Sequence, residues 1–268
     1  TINLDRLSLS VEAHIQATDP ALYSEETRFF VLAALGELGH LICGTSGIDS
    51  ISGTEKDNTI YGLSGNDTIG DSSGSDVIDG GDGDDTITDS NSGVNALRGG
   101  AGNDTITFSS GATSNIVEGG DGNDLIKVDY YAGPSVNTLN GGRGDDRFIT
   151  GAQVDTFIYN RGDGKDSIFD DVRNIAAPGA DAIVFGAGIT LSQVSAVREG
   201  NNLVIKIADP DNAGATDQIT VERWYESNRY RIETLNFADG SILTAAQLTE
   251  MGSIIQGTEA SDSLSGFS

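Results

Sequence analysis

The chain has 268 residues, with 41 acidic against 15 basic side chains and a net charge of −26. This balance excludes nucleic acid as a natural partner, because phosphate binding needs a basic face, and it predicts attraction for cations. Apolar residues make up only 37% of the chain, and glycine is abundant at 36 residues. Bound metal would therefore have to supply stability that apolar burial does not.

Residues 1–43 differ in composition from the rest of the chain. Ser24 is a good helix N-cap, and Glu25 and Glu26 suit a first turn. Apolar residues follow at helical spacing, namely Phe29, Leu32, Leu35, Leu38 and Leu41. We predict a short N-terminal helix over about 24–40 that covers the first coil of the next segment. Residues 1–43 are thus assigned to a helical cap or to the tail of a preceding domain.

A nine-residue pattern, G-G-x-G-x-D-x-U-x with U large and apolar, dominates residues 44–171. Perfect copies begin at Gly80, Gly99, Gly119 and Gly141, and degenerate copies lie between and around them. The glycines permit positive φ, so the chain turns tightly and its carbonyl groups point at one spot, where the Asp at position six adds a carboxylate. Oxygen-only ligands on a flexible turn suit a cation of the size of calcium.

Positions seven to nine of each copy form a short strand, and the apolar residue at position eight points inward. The expected core is therefore thin. It consists of Ile51, Ile60, Ile69, Ile78, Ile87, Leu97, Ile106, Val117, Ile126, Leu139, Phe148, Phe157 and Ile168.

This nonapeptide is the signature of calcium-binding parallel β-helices, and the sequence resembles the RTX family (repeats-in-toxin, haemolysin-type calcium-binding repeats). The resemblance implies a mainly β fold, a right-handed parallel β-roll (β-solenoid) in which two nonapeptides make one coil. Alternate turns then stack on the same side. One side carries nearly all the Gly and Asp of the motif, whereas the other has longer turns and four Asn residues at position six.

We therefore expect about four to six Ca2+ ions along one edge of the roll and a largely metal-free second edge. The candidate ligands are Asp49, Gly62, Gly65, Asp67, Gly80, Gly81, Asp82, Gly83, Asp85, Gly99, Gly100, Ala101, Gly102, Asp104, Gly119, Gly120, Asp121, Gly122, Asp124, Gly141, Gly142, Arg143, Gly144, Asp146, Asp163, Gly164 and Asp166.

Residues 172–252 are predicted to form a mixed β/α cap. The expected strands are Asp181–Phe185, Val194–Glu199, Leu203–Ile207, Gln218–Trp224 and Arg231–Phe237, and Thr244 and Gln247 form a capping box that opens a short helix. The runs YNRGDGKDSI, REGNNLVIKI, DQITVERWY and RIETLNFADGSIL resemble the haemolysin-type calcium-binding-protein-related segment, which implies that this region closes the end of the roll. Residues 253–268 resemble the start of a following RTX block, so we expect a piece of a longer protein.

No catalytic motif emerges: the two histidines, His14 and His40, are far apart in the sequence, and no H-E-x-x-H or G-x-S-x-G pattern is present. We therefore expect no enzyme activity from this piece. No run of residues reaches membrane-spanning length.

The resemblance implies a module of a secreted protein, of toxin or adhesin type, that passes through a type I secretion channel. Such a module is disordered without Ca2+ and folds outside the cell. The alternative is an adhesive module that binds a surface glycan or protein, either through an aromatic platform at Trp224, Tyr225 and Tyr230 or through Tyr130 and Tyr131.

Overall fold

The computed structural model describes residues 41–254 apart from 72, 91–92, 110–113, 130–134 and 172–179. The strands of this part, numbered in chain order, are β1 (Leu41–Cys43), β2 (Ser50–Ser52), β3 (Thr59–Ser64), β4 (Thr68–Asp71), β5 (Val77–Asp82), β6 (Thr86–Asp89), β7 (Val94–Ala101), β8 (Thr105–Ser109), β9 (Ser114–Asp121), β10 (Leu125–Asp129), β11 (Val136–Arg143), β12 (Arg147–Thr150), β13 (Val154–Tyr159), β14 (Lys165–Asp170), β15 (Ala182–Phe185), β16 (Val194–Glu199), β17 (Asn202–Ile207), β18 (Gln218–Val221), β19 (Thr234–Asn236) and β20 (Ile242–Thr244). One α-helix, α1 (Ala245–Ser253), follows them. The predicted helix over 24–40 lies outside the described residues, as does the predicted repeat block 253–268 apart from its first two residues.

The strands form two sheets, and successive strands of the roll alternate between them. The first sheet has the order β1-β3-β5-β7-β9-β11-β13-β15-β19-β20, and the second has the order β16-β17-β18-β14-β12-β10-β8-β6-β4-β2. Pairing within the roll is parallel and in register, so that Ile51 lies beside Ile69 and Ile69 beside Ile87. The structure therefore confirms a mainly β, parallel solenoid with two strands per coil.

The core is the predicted thin one, because side chains of a strand alternate between its two faces. All thirteen predicted core residues are buried, and they form one cluster with residues of the C-terminal segment. In β6, for example, Ile87 and Asp89 are buried whereas Thr86 and Thr88 are exposed. The nine-residue period thus places the apolar side chain at position eight in the interior, and three strands add a second one: Phe108 in β8, Val128 in β10 and Tyr159 in β13.

The C-terminal segment continues both sheets. Strand β15 pairs in parallel with β13, β19 with β15, and β18 with β14, whereas β16, β17 and β20 pair antiparallel. Strands of the cap therefore extend both sheets of the roll. At this end the outermost strands of the two sheets are the antiparallel strands β20 and β16.

Two of the predicted cap strands are too long. The strand expected over Gln218–Trp224 ends at Val221, since residues 222–226 turn and Arg223 has a φ of 58°. The strand expected over Arg231–Phe237 covers only Thr234–Asn236. At the other end, Leu41–Cys43 already pairs with β3, so the first sheet starts inside the segment predicted as the N-terminal cap.

Helix α1 begins where the capping box predicts. The hydroxyl of Thr244 accepts a hydrogen bond from the Gln247 N–H, and the Gln247 side chain accepts one from the Thr244 N–H. Leu248 on this helix is buried in the core cluster. The sequence pattern thus predicts the first residue of this helix to within one position.

Candidate metal centre

The turns from the first sheet to the second sheet form one edge of the roll, which we call the glycine edge (turns 62–67, 80–85, 99–104, 119–124 and 141–146). Here the aspartates at position six lie in a hydrogen-bonded row. The Asp85 N–H donates to Oδ1 of Asp104 at 2.7 Å, and the Asp104 N–H donates to Oδ1 of Asp124 at 2.8 Å. The same bond joins Asp49 to Asp67, Asp67 to Asp85, Asp124 to Asp146 and Asp146 to Asp166. One oxygen of each carboxylate is therefore committed to the preceding coil.

The second oxygen of these carboxylates is buried and has no hydrogen-bond partner within the described part of the chain. This holds for Oδ2 of Asp67, Asp85, Asp104, Asp124 and Asp146. An ionised carboxylate only accepts hydrogen bonds, and a buried acceptor without a donor costs free energy. Five such atoms in one row indicate that a cation completes the site.

The surroundings of each unpartnered oxygen fit a calcium ion. At Gly99, an added methyl group would collide with the Asp104 carboxylate and would lie 2.6 Å from the carbonyl oxygen of Gly119 in the next coil. Gly80 and Gly119 have the same surroundings in their own coils. A carboxylate oxygen and a carbonyl oxygen thus flank the first glycine of each turn, which supplies the mixed neutral and anionic oxygen donors that calcium prefers.

The later glycines of the motif are needed for the backbone. Gly100 and Gly102 have φ of 122° and 131°, which residues with a Cβ rarely adopt. The N–H of the position-four glycine donates to the position-three carbonyl of the next coil, as from Gly102 to Asp121 and from Gly122 to Arg143, both at 2.7 Å. The predicted position-three ligands therefore already accept one hydrogen bond at their carbonyl groups.

Two predicted ligands differ from the row. Oδ2 of Asp49 accepts hydrogen bonds from the N–H and the hydroxyl of Thr45 at 2.6 and 2.8 Å. Oδ2 of Asp163 accepts the Asn160 N–H at 2.6 Å. Because protein donors occupy Oδ2 of Asp49, the uninterrupted row of unpartnered position-six carboxylates begins at Asp67, and it runs to Asp146.

A second ladder, at position five, was missed by the sequence analysis. Oδ1 of Asp84 accepts the Asn103 N–H at 2.7 Å, and Oδ1 of Asn103 accepts the Asn123 N–H at 2.9 Å. These bonds run in the opposite direction along the roll from those at position six. The sequence does contain a signal for this ladder, because position five is Asn or Asp in every perfect copy.

The turns from the second sheet back to the first form the other edge, which we call the asparagine edge. The Asn115 amide nitrogen donates to Oδ1 of Asn137 at 2.9 Å, and the Asn137 amide nitrogen donates to Oδ1 of Asp155 at 2.7 Å. An amide carries both donors and an acceptor, so a row of asparagines satisfies itself without a cation. Between Asn95 and Asn137, the presence of Asn where the glycine edge has Asp thus removes the need for a cation.

Burial dominates the electrostatics of the glycine edge. It raises the pKa of Asp104 and of Asp124 to about 7 and that of Asp85 and Asp146 to about 6, against an ordinary value of 3.8, and neighbouring aspartates add to the effect. A hydrogen bond from the backbone of the preceding aspartate opposes the rise in each case. The charged form of this row is therefore disfavoured until a cation offsets its burial.

These pKa values predict the pH dependence of the calcium-free protein. Since the folded-state pKa of Asp104 and Asp124 lies above the unfolded value, their stabilising contribution is fully present below pH 3.8 and is lost as the pH rises to about 7. We expect β-rich circular dichroism in metal-free buffer at about pH 4 that weakens toward neutral pH. A calcium-free fold that gains stability as the pH rises over this range would contradict the prediction.

The possible aromatic platform required exposed side chains, and two of its three residues are buried. Trp224 is 0% exposed, and its indole N–H donates to Oγ1 of Thr249 at 2.9 Å. Tyr230 is also buried, and Tyr225 is half-buried. These side chains belong to the core of the cap. Tyr130 and Tyr131 lie outside the described residues.

Among the residues that the structure describes, no group of three or more His, Cys, Asp or Glu side chains is arranged to hold a metal ion. An ion on the glycine edge would therefore also draw on carbonyl oxygens or water. None of the helices that the structure describes is long and apolar enough to cross a membrane.

The solenoid and its rows of oxygen donors define a calcium-binding repeat module. The family model of the RTX calcium-binding nonapeptide repeat matches residues 44–70, 71–88, 89–126 and 131–168. The model of the haemolysin-type calcium binding protein related domain matches residues 202–247. The chain therefore contains RTX calcium-binding nonapeptide repeats, followed by this related domain.

Among characterised proteins, the iron-regulated protein FrpA of Neisseria meningitidis serogroup C is 34% identical over 90 residues, which is 32% of this chain and 7% of FrpA. The chain thus spans a small fraction of that relative. Among solved structures, the extracellular lipase LipA of Serratia marcescens matches with 19% identity over 66% of this chain and 36% of the lipase, at a TM-score of 0.33. The AlgE6R3 subunit of the Azotobacter vinelandii mannuronan C5-epimerase matches with 20% identity over 82% of this chain and 94% of that subunit, at a TM-score of 0.20. Superpositions this loose carry no argument about fold or function.

Proposed function

We propose that this chain is a calcium-triggered folding module of a larger secreted protein, of toxin or adhesin type. It is disordered at low calcium concentration and forms the roll when calcium binds the glycine edge. The observation that supports the proposal most directly is the row of five buried aspartates with an unpartnered oxygen.

The balance of forces favours a switch. In the absence of calcium the carboxylates of the glycine edge must be protonated or leave the interior, because each is buried next to others of the same charge. The core of the roll is only one or two apolar side chains per strand wide, so these carboxylates lie close to it and must be neutralised for the roll to form. Calcium removes the penalty, so its binding free energy becomes folding free energy.

The ions would lie between consecutive turns of the glycine edge. Each pair of adjacent turns brings together one carboxylate oxygen and one carbonyl oxygen around a first glycine. Because the uninterrupted row comprises five carboxylates, an occupancy of about four to six ions is consistent with it.

The biological setting can be inferred from calcium levels. Extracellular calcium modules typically have dissociation constants of about 10⁻⁴–10⁻³ M, so the array would stay unfolded in the cytosol and fold outside the cell. An unfolded chain can thread through a type I secretion channel, and folding on the far side would bias export outward. The module would act by folding and by stabilising its parent rather than by catalysis.

Far-ultraviolet circular dichroism during a calcium titration tests the proposal, with magnesium as the matched control. We expect a disordered spectrum in chelator and a cooperative change to a β-rich spectrum at calcium concentrations of about 10⁻⁴–10⁻³ M. Magnesium should not replace calcium, since it demands a smaller and stricter octahedral site. A β-rich spectrum at neutral pH that ignores chelator would overturn the switch mechanism.

A further inference from the structure

A stretch of 21 residues occurs twice in this chain. Residues 33–53 read AALGELGHLICGTSGIDSISG, and residues 246–266 read AQLTEMGSIIQGTEASDSLSG. Eleven of the 21 positions are identical without a gap. The match from residue 44 onward is expected, because the nonapeptide array begins there. The match of residues 33–43 to residues 246–256 lies outside the nonapeptides, so its recurrence needs another cause.

Helix α1 shows what the first half of this stretch does. Leu248 is buried in the core cluster, and Met251 packs against that cluster. Gly252 is buried as well, and a Cβ added there would collide with Oη of Tyr225 and lie 2.8 Å from Cδ1 of Leu203. Positions 248, 251 and 252 have the spacing of one helix face. This face therefore binds the helix to the cap, and it does so at a distance that only a glycine permits.

The residues that recur in the earlier stretch are those of this face. Leu35 corresponds to Leu248. Gly39 corresponds to Gly252. A glycine inside a helix is destabilising, so its recurrence indicates a neighbour that approaches too closely for any side chain, as Tyr225 approaches Gly252. Residues 33–40 lie outside the described residues, and their correspondence to α1 is one of sequence.

The join between helix and strand also corresponds in the two stretches. In the earlier stretch, β1 begins at Leu41, which pairs with Thr59 of β3. The residue that corresponds to Leu41 is Ile254, which directly follows α1. Its backbone is extended, with a φ of −73° and a ψ of 119°, and it is 59% exposed. The end of α1 thus has the conformation that the first strand of a roll needs, with no linker residue between helix and strand.

We propose that residues 33–40 are a second copy of helix α1 and bind a cap of the same structure, in a unit that precedes this roll in the same polypeptide. One helix then closes each unit and leads directly into the next roll. Because no linker residue separates the two, neighbouring units hold a fixed orientation, which a flexible linker would not impose. The proposal goes beyond the proposed function, since calcium-triggered folding of one roll needs no second cap.

A transplant of the earlier helix sequence onto α1 tests the proposal. The other residues from 246 to 253 already agree, so the transplant needs only Gln247→Ala, Thr249→Gly, Met251→Leu and Ser253→His. The matched control has the same amino-acid composition but exchanges the leucine and the glycine, with Met251→Gly and Gly252→Leu. It fills the space beside Tyr225 and keeps every other change, including the loss of the Thr249 hydroxyl.

The readout is the fluorescence of Trp224, which is the one tryptophan of the chain and donates its indole N–H to Thr249 on α1. At saturating calcium we expect the transplant to keep the emission maximum of the wild type and the control to shift it to longer wavelength, because water reaches the indole. In urea denaturation, the folding equilibrium of the control should be about 10–100-fold less favourable than that of the transplant, as is typical of an overpacked core. Equal behaviour of the transplant and the control would overturn the proposal.

Sedimentation of the wild type at saturating calcium tests the choice of partner. We expect a monomer, because the cap of each chain already holds its own α1. Oligomers that Gly39→Val abolishes would mean that residues 33–40 bind the cap of a second copy, and they would overturn the assignment to a preceding unit. These outcomes are distinct from failure of the proposed function, which would appear in the wild type as a spectrum that ignores calcium.

Discussion

Replacing Asp104 and Asp124 together by asparagine should raise the calcium concentration at the folding midpoint by about 10–100-fold. Metal affinity typically falls by about 10–100-fold even when the group removed only orients a metal ligand. Asparagine keeps Oδ1 for the backbone N–H of the preceding coil, but it replaces the unpartnered, charged oxygen by an amide nitrogen that cannot bind a cation. The midpoint is measured by circular dichroism during a calcium titration.

Asp84→Asn is the matched control for this double variant. Asp84 is exposed at position five, one residue before Asp85, and its Oδ1 accepts the Asn103 N–H as an asparagine would. Other copies carry Asn at this position, so the control should leave the calcium midpoint nearly unchanged. Equal midpoints for the control and the double variant would refute the assignment of the ions to position six. In a secretion assay, the double variant should also leave the cell more slowly than the control.

The second large effect is expected from Trp224→Ala in the cap. Trp224 is fully buried, belongs to the common core cluster and donates its indole N–H to Thr249 on α1. Truncation of a buried tryptophan typically costs about 3–5 kcal/mol, because a cavity adds to the loss of apolar burial. We therefore expect a large decrease in the free energy of unfolding, measured by urea denaturation at saturating calcium.

Trp224→Phe separates packing from the hydrogen bond. This variant keeps an aromatic ring and loses the bond to Thr249, which costs about 1 kcal/mol in typical cases. Because calcium binds the folded state, Trp224→Ala should also need more calcium to fold. If both variants unfold at the wild-type urea concentration, the cap contributes no stability to the roll.

The roll was predictable from the sequence because its signal is periodic. The large apolar residue of each nonapeptide predicts where a strand lies, which of its faces is buried and which residues lie beside it in the sheet. Ile69, Ile87 and Ile106 are an example, because they are neighbours in adjacent strands. The carboxylates at position six follow from the same register. The ladder at position five was missed because Asn and Asp there look like variable surface residues until the coils are stacked.

The contacts between the roll and the cap are not displayed by the sequence. Asp155, Asp181 and Glu233 meet only because β15 and β19 extend the first sheet in parallel. The shortened strand that ends at Val221 reflects a turn at Arg223 whose positive φ is unusual for a residue with a Cβ. The β-propensity of these residues predicted a strand there, but the tertiary context favours a turn.

The row of aspartates on the glycine edge links each turn only to its immediate neighbours, as Asp104 is linked to Asp85 and Asp124. In such a one-dimensional chain, two properties of the calcium response are set separately. The chemistry of a single turn sets the concentration at which the response occurs. The number of consecutive turns sets how abrupt it is, because an interior turn gains from two ordered neighbours and a terminal turn from one. Adding or deleting whole coils would therefore tune the sharpness of the transition while each ligand set stays the same.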